Sequence, residues 1–257
     1  MIGRRAAILM AGLLATAGLW SGGSAAFAQD AVADDAATRR AADAVSPVVV
    51  ELFTSQGCSS CPPADRLMAQ LARRADVLPL ALHVDYWDYL GWKDVLADPQ
   101  YTHRQKSYAR AHGKRMIYTP QMIVAGTGFI KGSHPMQLAE YIEIMQKRAP
   151  EYQIRVTAEA GGRYRVLAHA LRGAELGPMV VQLVHYLPNK PIQILRGENA
   201  GVQMNYVNVV THWAPVAEWD GRSDLNIEID AGRDEPGAVL LQRQGFGAIE
   251  AAARLPQ

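Results

Sequence analysis

The stretch whose reading decides the fold runs from Val48 to Leu71, VVVELFTSQGCSSCPPADRLMAQL. Val48 to Phe53 is a near-continuous apolar, β-branched run, the pattern of a strand covered on both faces in a parallel-type sheet. A short polar turn follows and carries Cys58-Ser59-Ser60-Cys61. Pro62 and Pro63 fit without loss only in the first turn of a helix, where backbone donors have no partner anyway. A helix is therefore predicted to start near Ser59 or Ser60, with Cys61 in its first turn and Cys58 just ahead of it. Ala64, Leu67, Met68 and Leu71 follow the i, i+3, i+4, i+7 spacing of one buried stripe.

A thiol at such a helix start feels exposed N–H groups and the positive dipole end, which favour thiolate. That is the layout of a redox dithiol, with Cys58 as the exposed nucleophile and Cys61 as the shielded resolving thiol. Two other readings stay open. These are the chain's only two cysteines, and an even count in an exported protein often means a plain structural disulfide. Closing about four residues, however, stabilises by only ~2 kcal/mol, against ~4.7 for a hundred-residue loop. The third reading is a metal site, although one C-x-x-C supplies half of a zinc site. Soft Cu(I) held by Cys58 and Cys61, with Met116 or Met122 assisting, is its most specific form.

The chain's 257 residues, 49% hydrophobic and 20% charged, describe an ordinary globular protein large enough for two modest domains. Residues 1–28 read as a signal peptide: Arg4 and Arg5, an apolar stretch from Ala6 to Leu19, and Ala26-Phe27-Ala28 as the cleavage site before Gln29. The paired arginines alone do not separate twin-arginine from general export. Removing this leader takes the formal charge from +1 to −1, which offers no electrostatic case for nucleic acid or anionic membrane. A periplasmic or secreted location follows, where disulfides persist. No integral membrane association is expected after cleavage, and neither a cofactor nor a resident metal. The oligomeric state is not legible.

Residues 29–46, alanine with scattered charge, read as a flexible leader. Val77 to Val84 is a second strand. Asp85 to Asp94 crowds Tyr86, Trp87, Tyr89 and Trp92 into ten residues, either as packing for a loop or as an apolar wall beside the dithiol. Asp98-Pro99 and His112-Gly113 bound a helix that is polar on most sides and is expected on the surface, within an insertion over about 85–115. Tyr118 to Val124 leads into a strand, Gly126-Thr127-Gly128 turns and Phe129–Lys131 pairs back, and Ser133-His134-Pro135 opens a helix to about Lys147. After Pro150 the pattern changes. A hairpin about Gly161-Gly162 and apolar runs at 179–186, 192–195, 206–210, 225–229 and 239–241 suggest a β-sandwich over 151–257. Arg196-Gly197-Glu198-Asn199 is its most polar loop, an ordinary turn unless it contacts the dithiol.

With the dithiol and the Thr119-Pro120 step both placed, residues 47–150 resemble the thioredoxin-like superfamily. More narrowly, the run from Glu51 to Pro63, VDYWDYLGW and YTPQ resemble the exported proteins grouped as domain of unknown function 1223, from about Val48 onward. The resemblance implies an α/β thioredoxin-like domain followed by an all-β sandwich-like domain, and a cis bond before Pro120. It implies that Pro120 shapes a client groove, to which Thr119, Trp87 and Trp92 would add substrate-binding surface. It also implies that Glu51 acts as proton acceptor for the buried cysteine, although the spacer to the first cysteine is one residue longer than in thioredoxin. The Ser59-Ser60 dipeptide departs from well-studied members, so oxidant, reductant and isomerase stay open. His83 and His134 are candidate neighbours. The function expected is an exported thiol–disulfide oxidoreductase acting on a protein or small thiol/disulfide substrate. The alternatives are a cell-envelope binding or assembly module with a structural disulfide, and metal delivery.

Overall fold

The computed structural model describes residues 46–256; the expected signal peptide and nearly all of the flexible leader lie outside them. The described residues form one compact unit. Its spine is an eight-stranded mixed sheet in the order β13-β12-β7-β10-β2-β1-β3-β4. The first half supplies β1 (Val48–Thr54), β2 (Val77–His83), β3 (Gln121–Val124) and β4 (Gly128–Lys131). The second supplies β7 (Met179–Leu187), β10 (Val209–Trp219), β12 (Gly237–Arg243) and β13 (Ile249–Arg254). The join is a parallel step between β2 and β10, where Val209 pairs with Ala81. There the Ala81 N–H donates to the Asn208 main-chain carbonyl at 2.9 Å, and Asn208 Nδ2 donates to the Pro79 carbonyl at 2.9 Å.

This corrects the expected fold class. Strands from both sides of Pro150 continue one sheet, so the chain is not an α/β thioredoxin-like domain followed by a separate all-β sandwich. A second sheet does exist, made of β5 (Tyr152–Ala158), β6 (Arg163–Ala170) and β11 (Leu225–Asp230), and it packs on the main one. A small ribbon of β8 (Lys190–Gln193) and β9 (Gln203–Tyr206) completes the strands.

The layers follow from the pleat, which sends alternate side chains to opposite faces. In β1, Val50 and Leu52 meet Ala64, Met68 and Leu71 of α1 (Pro62–Leu71), together with Leu138 and Ile142 of α3 (Pro135–Lys147). Val49 and Phe53 point the other way, to Tyr101 and Tyr108 of α2 (Pro99–Ala111). The strands β7 and β12 repeat the device. Val184, Tyr186, Ala238 and Leu240 join the α2 face, while Val181, Leu183, Val239 and Leu241 face the three-stranded sheet. Thus α2 lies under both halves of the sheet. It is not the surface helix expected: Tyr101, Arg104, Gln105, Ser107 and Tyr108 are all buried. Among the described residues, no helix is long and apolar enough to cross a membrane.

Candidate functional site

β1 delivers the chain into the turn Ser55–Cys61 at the end of the sheet. α1 starts at Pro62 rather than near Ser59 or Ser60, so Cys61 is its N-cap instead of lying in its first turn, and Pro62 and Pro63 occupy the first two helical positions. Cys58 and Cys61 are joined in a disulfide with Cα atoms 5.4 Å apart. The helix end stabilises a thiolate less directly than its position suggests. The two prolines carry no N–H, and the Ala64 and Asp65 N–H groups both donate to the Cys61 carbonyl at 2.8 and 3.1 Å. The Ser60 hydroxyl stands 3.5 Å from Cys58 Sγ.

Cys58 is not the open group expected. It is 2% exposed, against 0% for Cys61. The turn before it is clamped from three directions. The Gln56 N–H donates to Asp94 Oδ2 at 2.8 Å, and Trp92 Nε1 donates to Gln56 Oε1 at 2.7 Å. From the second half of the chain, Asn199 Nδ2 donates to the carbonyls of Gln56 and Cys58, each at 2.9 Å. The loop 196–199 therefore does contact the dithiol turn.

Trp87 links that turn to the Thr119-Pro120 step. Its Nε1 donates to Thr119 Oγ1 at 2.7 Å, and Gly57 lies so close to Trp87 that a Cβ there would stand 3.0 Å from Trp87 Cβ. The Thr119–Pro120 bond is cis, and buried Pro120 leads directly into β3. Five of the residues singled out from sequence, Cys58, Cys61, Thr119, Trp87 and Trp92, are thus tied together around the turn 55–61, with both cysteines buried and Pro120 next to Thr119.

Glu51 lies elsewhere. It is fully buried, but it shares the parity of Val49 and Phe53 and so occupies the α2 face of the sheet, across from α1. Its carboxylate accepts Arg104 Nε and the Tyr108 hydroxyl, each at 2.6 Å. The one-residue difference in spacer explains this, because a shift of one position along a strand moves a side chain to the other face.

On the α1 face stand Thr54, His83 and a residue that the sequence reading passed over, Asp65. His83 Nδ1 lies 2.8 Å from Asp94 Oδ2, and Asp94 also accepts the Leu96 N–H at 2.9 Å. Burial pushes the Asp94 carboxyl up, but His83 and the N–H donors of Gln56 and Leu96 outweigh it and hold the group below its ordinary range. Asp65 is 3% exposed, and neither of its oxygens has a hydrogen-bond partner; nor do His83 Nε2 and Thr54 Oγ1. Burial pushes the Asp65 carboxyl up to about 7, opposed by His83, by Thr54 nearby and by Arg66, and reinforced by Asp94. Its signal was available. Residues 61, 64, 65, 68 and 71 form a single helical stripe, and an acid on that stripe is an anomaly to be explained.

His134 is instead the N-cap of α3, lining a cleft with Lys114, Arg115 and Lys131. Met122 is packed in the core under α1 and α3, whereas Met116 is exposed. Among the described residues, no three His, Cys, Asp or Glu side chains gather as a metal site.

The fold and this turn define a mixed-sheet protein with a short-loop disulfide at the head of its first described helix. The profile of the family described as "protein of unknown function (DUF1223)" matches residues 49–242, and the chain belongs to that family. An X-ray structure of a protein from Agrobacterium tumefaciens is similar at 31% identity and a TM-score of 0.70, covering 82% of this chain and 94% of that one. The structure named HBP35 of Porphyromonas gingivalis shares the fold at 13% identity and a TM-score of 0.57, covering 82% and 74%. Among curated proteins, none matches.

Proposed function

We propose that this chain is an exported thiol–disulfide oxidoreductase whose Cys58–Cys61 pair exchanges two electrons with a disulfide or dithiol substrate. The observation that carries the reading is the disulfide itself, closed across two residues at the head of α1. A loop that short contributes little as a staple, about 2 kcal/mol, so its placement at a helix start speaks for redox use. In the reducing direction, the Cys58 thiolate attacks a client disulfide and Cys61 displaces the mixed disulfide. Trp87, Thr119 and Pro120 form the surface beside which a client chain lies, and opening of the Asn199 clamp exposes Cys58 sulfur.

A second reading has an observation of its own. Both cysteines are buried, as suits a structural bridge in a binding or assembly module. Turnover separates the two. The oxidoreductase reduces insulin disulfides with a thiol donor, or oxidises a dithiol peptide, at rates that fall to background in Cys58→Ser. A wild-type protein inactive in both directions contradicts the proposal and leaves the binding module.

A further inference from the structure

We propose that Asp65, backed by the His83–Asp94 pair, is the group that takes the proton of the Cys61 thiol. This rests on the oxidoreductase reading of the dithiol. The argument begins with placement. Asp65 follows Cys61 by one helical turn, and its N–H donates to the Cys61 carbonyl at 3.1 Å. Side chains four apart share a helix face, and a helical Cα–Cβ bond leans toward the N-terminus. The carboxyl therefore leans back over the turn that carries Cys61. Both of its oxygens are buried and without a hydrogen-bond partner. A fully buried carboxyl left in that state costs roughly 1–3 kcal/mol or more, a cost that packing alone does not call for.

The surroundings are polar and buried. His83 Nδ1 lies 2.8 Å from the Asp94 carboxylate, and its Nε2 has no hydrogen-bond partner. His83 shares the α1 face of the sheet with Thr54, its neighbour in register. The charged and titratable groups around Asp65 are His83 from β2, Asp94 from the loop after it, Arg66 on α1 and Tyr206 from β9, with the Thr54 hydroxyl from β1. Tyr206 packs edge-on against His83 with ring centroids 4.7 Å apart, closing the site. Burial holds the Asp65 carboxyl at about 7, the range in which a group both accepts and releases a proton near neutrality. Glu51 is excluded from this role by its place on the other face and by Arg104.

The step balances as follows. Cys58 is bonded to a client sulfur in the mixed disulfide. The Cys61 S–H proton passes to the Asp65 carboxylate, and the Cys61 sulfur forms its bond to Cys58 Sγ. The Cys58–client bond breaks, its electron pair leaves on the client thiolate, and solvent protonates that thiolate. The dithiol is oxidised and the client disulfide reduced by two electrons.

Two measurements with glutathione test the assignment. The midpoint of the Cys58–Cys61 couple is followed from pH 5 to 9 in glutathione buffers. Wild type is expected to show a break in slope near pH 7 that Asp65→Asn lacks. In rapid mixing, release of glutathione from the Cys58 mixed disulfide is expected to slow about 100-fold at pH 7 in Asp65→Asn. The variant should approach wild type by pH 9, where hydroxide deprotonates the thiol directly. Asp65→Ser, which vacates space rather than straining it, serves if the asparagine variant does not fold. Parallel pH profiles and equal release rates overturn the assignment. Neither readout needs a protein client. A profile that breaks as expected in a protein without turnover therefore contradicts the oxidoreductase reading alone.

Discussion

Asp65 shows how much a single buried acid can impose. Its folded value of about 7 stands above the ordinary 3.8 of an unfolded aspartate, chiefly through burial. Between these values the folded state holds a proton that the unfolded state has lost, so stability falls as pH rises from about 4 through 7 and is flat above that. A shift of about three units corresponds to on the order of 4 kcal/mol. Asparagine mimics the protonated form. Asp65→Asn is expected to match wild type near pH 4 and to exceed it by up to that amount at pH 8, measured by urea unfolding of the oxidised protein. A difference independent of pH would place the titration elsewhere. The residue escaped the sequence reading because the helix stripe was drawn through apolar side chains alone.

At the scale of the element, α2 carries the same lesson in reverse. Its polarity reads as a solvated face, yet it is the layer beneath the whole sheet. Arg104 finds its partners far away in sequence. Arg104 reaches Glu51 in β1, Gln182 in β7 at 3.3 Å and Gln242 in β12 at 3.1 Å, and its guanidinium lies 3.8 Å from the Trp213 ring centroid. No local pattern announces pairings that span 53 to 138 positions. Removing one member of a buried pair strands the other, at about 3–5 kcal/mol. Arg104→Ala is expected to lose that much stability in denaturant unfolding, since it leaves the buried Glu51 carboxylate without its cation. A loss below about 1 kcal/mol would mean that water reaches Glu51 readily.

Across the whole molecule, most strands, the dithiol turn and the DUF1223 resemblance were legible in the sequence; β13, most of β10 and the joining of the two halves were not. The apolar runs after Pro150 mark strands β7 and β12 correctly, but they are continuous where a one-sided sandwich strand alternates. That continuity is the mark of strands covered on both faces, here by α2 and by the three-stranded sheet. The β2–β10 join rests on one registered pair and has no local signal at all. The same folding-back brings Asn199 onto the carbonyls of Gln56 and Cys58, so the second half holds the turn on which the proposed chemistry depends. The central claim is that this turn carries unequal redox cysteines, and client capture tests it most directly. Each cysteine is replaced singly by serine, the protein is recovered from its host, and adducts are resolved on a non-reducing gel with mass spectrometry. Cys61→Ser is predicted to accumulate reducible mixed disulfides through Cys58, while Cys58→Ser captures almost nothing. Equal and negligible capture by both variants would contradict the account.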